Sequence, residues 1–313
     1  MDTIQGKEVF HANYESGEGN VDERWPVYKM AEHYVDIVDQ AVQFLDIKGD
    51  AVAVDLATGP AELPQKLALT PGNSNLSIFG FDIHPEQYRN SQYWKIASAA
   101  GTSAMQEVFV TEPPNILAPP AIFMASDAIS GLTQFDNDSV DIVSMLFAAY
   151  HFTTEKRIHL YDEIRRVLQP NGKALFTTSG RANKVVHRHI ESQIASDLAI
   201  SAPPIMNASW TTEIAKDELP KYFDHVYCYE YTDTLVIDSI EKYMAYVKSL
   251  VSMKNQFTPE PTQSTFLRTL RRFTKSLYEG ASSTNPRIES IARSAFVTSS
   301  EPLEEQYGFK QIT

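Results

Sequence analysis

Three aspartates stand at the ends of hydrophobic runs: Asp55 in AVAVDLA, Asp82 in LSIFGFDI and Asp127 in AIFMASDA. An aspartate after a strand can simply cap a helix or make a turn. Three at successive strand ends point instead to a shared ligand, and the chemistry fits one bearing adenosine. Asp82, closing the second run, stands where the acid of a dinucleotide fold accepts hydrogen bonds from both ribose hydroxyls. Gly59 lets backbone approach a ligand closely, and the helix that follows offers unpaired N–H groups. The turn Ala57-Thr58-Gly59-Pro60-Ala61-Glu62 is nevertheless a poor phosphate cradle. It lacks G-x-G-x-x-G, Pro60 removes a donor and Glu62 adds negative charge. It suits a ligand with a ribose and a positive centre.

Such residues need a frame that carries successive strand ends to one edge. AVAVDLA is expected to be a strand and PAELPQKLAL a helix, with Pro64 confined to its first turn. LSIFGFDI is a second strand and PEQYRNSQYWKIASAA a second helix. AIFMASDA follows the proline-rich TEPPNILAPP as a third strand, and SVDIVSMLFAAYHF is a fourth that runs into a loop. TEKRIHLYDEIRRVL is a helix, and GKALFTTSG a fifth strand after a turn at Pro170-Asn171-Gly172. A further helix is expected over 26–44, from apolar residues three and four apart. Alternating buried strands and amphipathic helices imply a parallel sheet covered on both faces. Its ligands sit beyond the carboxyl ends of the strands, near the switch in strand order. Past Gly180 the spacing predicts helices at 181–200, 239–253 and 263–279 and a loop at 201–209. It also predicts a strand in HVYCYEYTDTLVI and a last strand in ESIARSAFVTSS.

The chain has 313 residues, of which 43% are hydrophobic, enough for a large α/β domain with an elaboration. Its net charge of -13 disfavours nucleic acid as a partner. The locally basic FLRTLRRFTKSLYEG has helical spacing and is read as a solvated helix face, with a patch for an anionic substrate or a partner as the alternative. No apolar run approaches the roughly 18 residues of a membrane span. MDTIQGKEVFHANYESGEGN lacks the features of a signal peptide, and Cys228 is the one cysteine, so a reducing, cytoplasmic setting is expected.

VAVDLATGPA resembles the first motif of the class I S-adenosylmethionine-dependent methyltransferases, in their broad small-molecule group. IFGFDIHPEQ resembles the second motif, whose acid binds ribose, and MASDAISGLTQFDNDSVDIV the third, with an aspartate-alanine pair at the adenine. EIRRVLQPNGKALFTT resembles the elements that close the core, so the likeness runs from about 51 to 179. It implies a Rossmann-like, doubly wound, mostly parallel seven-stranded sheet, with an N-terminal helical segment and a helical substrate-side lobe. The division would be a lid at 1–48, a cofactor-binding core at 49–181, and substrate-side helices with the last strands at 182–313. The implied cofactor is S-adenosyl-L-methionine, held by Asp55, Ala57, Thr58, Gly59, Asp82, Ile83, Asp127, Ala128 and Leu146. Tyr28, or Tyr14, would lie over it from the N-terminal segment. The first motif departs from the usual three glycines, with Ala57, Gly59 and Ala61 in their places. The connection from Asp82 to Asp127 is also long, which suggests a lobe inserted over 83–126.

Methyl transfer from a sulfonium asks the protein for alignment, and for a base where the acceptor carries a proton. Where DNA and amide methyltransferases carry Asn/Asp-Pro-Pro-Tyr/Phe, this chain has Ala148-Ala149-Tyr150-His151. Cys228 lies far from the fourth strand, which removes a covalent cytosine mechanism, and FTTSGRANK lacks the acids of metal-assisted catechol chemistry. What remains is an oxygen, nitrogen or carbon acceptor on a small molecule of specialised metabolism. His151 is the candidate base and Tyr150 a pocket wall. His187 and His189, two apart on a helix, point to different faces, so no metal is expected. Two alternatives keep the fold: an enzyme that couples methylation to cyclisation or replaces it, and a non-catalytic binding protein.

Overall fold

The computed structural model describes residues 37–84 (without 48, 60, 71 and 74), 94–97, 106–109, 121–180, 209–237, 287–298 and 310–312, besides isolated helical positions near 192–196 and 268–272. Their elements in chain order begin with α1 Ile37–Leu45, β1 Val52–Leu56, α2 Glu62–Leu69 and β2 Ser77–Asp82. β3 Trp94–Ala97, β4 Gln106–Phe109, β5 Ala121–Ala125, α3 Ala128–Leu132, β6 Val140–Leu146 and α4 Thr154–Val167 follow. The last are β7 Leu168–Ser179, α5 Thr212–Glu218, β8 Val226–Ile237, β9 Arg287–Thr298 and β10 Lys310–Ile312.

The chain divides into two units, and the described elements fall mainly in the one formed by Val35–Gly180, Ser209–Tyr231 and Arg293–Thr313. Its sheet has the order β10-β8-β9-β7-β6-β1-β2-β5-β4-β3. β1 pairs in parallel with β2 and β6, β2 with β5, and β6 with β7, while β9 runs antiparallel to β7. Strands β5, β2, β1, β6, β7, β9 and β8 make the seven-stranded, mostly parallel sheet expected, and strand order switches between β1 and β6. The reason is visible in composition. β1 and β6 are almost continuously apolar, and Val54, Leu56, Val143 and Met145 are fully buried, as strands covered on both faces must be.

The insertion departs from expectation. A helix was predicted across 85–100, but 94–97 is a strand. Trp94-Lys95-Ile96-Ala97 pairs antiparallel with Phe109 to Gln106, and β4 pairs antiparallel with β5. Tertiary pairing overrides a weak helical pattern here, because WKIA also suits a strand. β4 and β3 therefore lengthen one edge of the sheet. β10 lengthens the other, against β8.

One boundary also shifts. β7 begins at Leu168, so Pro170-Asn171-Gly172 lies within its span, at a register irregularity against Val140/Ile142. A Cβ on Gly172 would come 3.0 Å from the Gln169 carbonyl oxygen and from a Leu168 methyl, and 3.1 Å from the Asp141 carbonyl oxygen, so the tight turn against β6 favours glycine. Helix α5 was not foreseen. Thr211 caps it, accepting a hydrogen bond from the Ile214 N–H. Pro64 sits in the first turn of α2, as the sequence requires. The described part of the helix expected over 26–44 is α1. The remainder of that helix, Tyr14, Tyr28, His187, His189 and most of the three helices expected after Gly180 lie outside the described residues. Among the described residues no helix is long and apolar enough to cross a membrane.

Candidate functional site

The carboxyl ends of β1, β2 and β5 are stitched together by the residues the sequence singles out. Asp55, near the end of β1, is buried. One carboxylate oxygen accepts the Thr58 hydroxyl at 2.6 Å and the other accepts the Ser144 hydroxyl of β6 at 2.6 Å. Burial pushes its pKa up to about 6, opposed by these two hydroxyl bonds and reinforced by the charge of Asp82. Asp55 thus faces inward and ties the turn to the two central strands.

The turn itself is left-handed at alternate residues, with φ of 52° at Ala57, 52° at Gly59 and 58° at Ala61. Those are the three positions at which glycine is expected in the motif it resembles. The Thr58 N–H donates to the Phe81 carbonyl at 3.0 Å, which lays the turn against β2. Asp82 closes the link. Its carboxylate accepts the Gly59 N–H at 2.8 Å on one oxygen and the His84 N–H at 2.8 Å on the other. Ile83 beside it is 49% exposed, the one large apolar side chain so exposed among the described residues.

Asp127 is drawn to the same edge, because the Ser126 N–H donates to the Asp82 carbonyl at 3.0 Å. Asp127 caps α3: its Oδ1 accepts from the Ile129 and Ser130 N–H groups, each at 3.1 Å. Desolvation alone would raise this carboxyl, yet the bonds from Ser130 and Ile129 outweigh it and hold it below the usual carboxylate range. Ala128 behind it is buried in the core.

Across the switch point, Leu146 ends β6 and the chain turns abruptly. Phe147 has a φ of 50°, unusual for a bulky residue, and its N–H meets both the Thr177 carbonyl at 3.2 Å and the Thr177 hydroxyl at 3.0 Å. A single turn of 3-10 helix, Ala149–His151, follows. The rings of Tyr150 and His151 lie 4.4 Å apart between centroids. Cys228 is buried elsewhere in β8, and burial pushes its thiol up to about 12, which leaves it inert as a nucleophile. Among the described residues no cluster of histidine, cysteine and acidic side chains could hold a metal ion.

The structure thus brings Asp55, Ala57, Thr58, Gly59, Asp82, Ile83, Asp127 and Ala128 to one sheet edge, with Leu146, Tyr150 and His151 following β6. Ser144 and Thr177 were missed. A serine inside the apolar run VDIVSML and a threonine pair in ALFTTS were the available signals, since buried polar groups require partners. As a donor set the site is backbone N–H and carboxylate. It fits a ribose and a cationic centre better than phosphates.

Residues 54–176 match the methyltransferase domain family. A candidate type II methyltransferase of Anaeromyxobacter dehalogenans is similar in structure, at 13% identity and a TM-score of 0.50, over 84% of this chain and 95% of that one. An S-adenosylmethionine-dependent methyltransferase of Archaeoglobus fulgidus is 12% identical with a TM-score of 0.45, over 84% and 91% of the two chains. Phosphoethanolamine N-methyltransferase 2 of Haemonchus contortus, solved with phosphomonomethylethanolamine and S-adenosylhomocysteine, is 13% identical with a TM-score of 0.40, over 83% and 51%. No curated protein sequence matches the chain.

Proposed function

We propose that this chain, whose residues 54–176 match the methyltransferase domain family, is a class I S-adenosylmethionine-dependent methyltransferase that passes the methyl group to an oxygen, nitrogen or carbon of a small molecule. S-adenosyl-L-methionine is the cofactor; when bound it supplies a methyl group activated on sulfonium, with a neutral thioether as leaving group. The protein has to hold the adenosine, align the acceptor and take up any proton the acceptor loses.

Asp82 carries the reading of the cofactor side. Its carboxylate already fixes the Gly59 N–H, so the ribose acceptor and the turn that lets backbone approach the ligand are one unit. In this reading Asp82 receives the ribose hydroxyls, and Ile83 covers one face of the adenine. Asp127 accepts from the exocyclic amine beside Ala128. Asp55 and Thr58 act through the turn they hold, with Ala57, Gly59 and Leu146 bordering the cofactor. On the acceptor side Tyr150 forms a wall and His151 is the base, imidazole being the side chain suited to proton transfer. The small-molecule acceptor rests on Ala148-Ala149-Tyr150-His151 standing where an amide-binding Asn-Pro-Pro-Tyr run would be, and on the net charge of -13. With Cys228 as the one cysteine, we place the enzyme in a reducing compartment, the cytoplasm.

Calorimetry of the Asp82→Ala variant tests the cofactor side. Removing hydrogen bonds to a charged group should cost about 1.5–3 kcal/mol, roughly ten- to a hundredfold in affinity. Unchanged S-adenosylmethionine affinity in a folded variant removes the assignment. Incubation with methyl-labelled S-adenosylmethionine and a whole-cell extract, fractionated afterwards into metabolites, protein and nucleic acid, tests the acceptor. Label recovered only in protein or nucleic acid would overturn the small-molecule reading.

A further inference from the structure

The segment Phe147–Phe152, which follows β6 and bears Tyr150 and His151, is fastened from three sides. Thr177 of β7 takes up its first N–H, as described. The Ser209 hydroxyl, just before α5, donates to the Tyr150 carbonyl at 2.6 Å. Arg157 of α4 donates from Nη1 to the Phe152 carbonyl at 2.7 Å. Within the segment the His151 N–H closes on the Ala148 carbonyl at 2.9 Å.

Arg157 is itself buried, and its guanidinium grips Glu218 at the end of α5 in the two-pronged geometry suited to a carboxylate. Nε meets Oε1 at 2.8 Å and Nη2 meets Oε2 at 3.1 Å. Nη2 also reaches the Thr154 hydroxyl at 3.2 Å, and Tyr161 donates its phenol to Glu218 Oε1 at 2.8 Å. Burial, with the charge of Glu218 adding to it, pushes the Tyr161 phenol far above its ordinary range, so it remains a donor. A buried pair of this kind is poor value as a source of stability. Desolvation of the two charges offsets most of their attraction, and apolar residues of similar volume commonly serve as well or better. What apolar residues could not supply is the fixed donor at the Phe152 carbonyl.

We infer that Arg157, held by Glu218, is a positioning residue that fixes the orientation of Tyr150 and His151 on the acceptor side of the site. The inference rests on the reading of His151 as part of that site. The Arg157 side-chain hydrogen bonds go to Glu218, Thr154 and the Phe152 carbonyl, so it acts through the backbone on which both rings are carried. Ser209 acts in the same sense from the other side.

The test replaces the pair together, Arg157→Met with Glu218→Leu, because loss of one partner alone would leave a buried charge and threaten folding. Expected are a cooperative melt and unchanged S-adenosylmethionine affinity by calorimetry, since the adenosine is held at the ends of β1, β2 and β5. The His151 imidazole resonance, assigned by its absence in His151→Ala, should shift and its titration midpoint should move. Methyl transfer from labelled cofactor to extract should fall about ten- to a hundredfold, the scale of a small misplacement of reacting groups. Ser209→Ala, which leaves the ion pair intact, should move the same resonance to a lesser degree. A His151 resonance and titration unchanged in both variants would overturn the positioning role. The failure of the underlying reading looks different. If His151→Ala transfers methyl as fast as wild type, His151 is not the base, and the resonance alone then decides whether Arg157 positions it.

Discussion

Asp55 has exchanged water for two hydroxyl donors, and the exchange is unfavourable to its charge. With its pKa raised from an ordinary 3.8 to about 6, the folded protein binds more protons than the unfolded chain between those values. The stabilisation from this group is therefore fully present below about pH 4 and is lost as pH rises through about 6. Two pH units correspond to roughly 3 kcal/mol. Asp55→Asn stays neutral throughout, can accept from Ser144 and can donate to a rotated Thr58 hydroxyl. The variant should melt above wild type at pH 8, and the gap should close towards pH 4. Melting curves across that range check it; parallel pH dependences would mean that Asp55 is not the titrating group. Asp127 presents the opposite case, a carboxylate favoured by its bonds. Asp127→Ala should lose about 1 kcal/mol of stability with the cap of α3. Asp127→Asn keeps an acceptor and should keep most of that stability. Melting without ligand isolates the cap, and calorimetry with S-adenosylmethionine then reads what the side chain does for adenine. The cap was legible in the sequence as the plain reading of an aspartate after a strand, and the structure displays it directly.

At the scale of elements, the turn after β1 sets the cost of replacing glycine. Ala57, Gly59 and Ala61 all have left-handed backbone, which disfavours a side chain by about 1–2 kcal/mol relative to glycine. Glycine costs about 0.4–1 kcal/mol in the freedom of the unfolded chain, so Ala57→Gly should stabilise by a net amount on the order of 0.5–1 kcal/mol. Ala61 differs because its methyl is fully buried. Losing it forfeits about 0.8 kcal/mol of burial, and Ala61→Gly should be close to neutral. Denaturant midpoints distinguish the two; a destabilised Ala57→Gly would contradict the backbone found here. This turn was readable because β1, α2 and β2 have local patterns that agree with one another. β1, β2, β5, β6 and α4 were readable for the same reason, each an apolar run or amphipathic stretch bounded by turn residues. β3 and β4 were not. A four-residue strand such as Trp94–Ala97 is specified by its antiparallel partner at Gln106–Phe109, and nothing within six residues on either side announces that pairing. Helix α5 escaped for a related reason, since its seven residues carry too few turns to display a period.

At the scale of the whole molecule, the unit that carries the candidate site is discontinuous in the chain. Its sheet is incomplete at Gly180, because β7 requires a neighbour that is supplied by residues 287–298. The register runs Leu175 to Val297 and Phe176 to Phe296, antiparallel, and Phe296 is packed within the core cluster that contains Phe176 and Trp210. Polar bonds reinforce the return. The Ala174 N–H donates to the Thr298 hydroxyl at 2.7 Å, and the Thr212 and Ser294 hydroxyls meet at 2.7 Å. A chain ending at residue 286 would therefore leave the β7 edge unpaired and uncover apolar side chains along it, the condition under which sheets associate edge to edge. We expect this truncated chain to aggregate, to lose its cooperative melt and to bind no S-adenosylmethionine, although every candidate cofactor residue remains in it. The loss would come from the frame and not from the site. Calorimetry and thermal melting of the truncated chain beside the full one make the comparison. If the shorter chain melted cooperatively and bound the cofactor with the affinity of the full chain, β9 would be an appendage, and the unit would be complete in the residues before it.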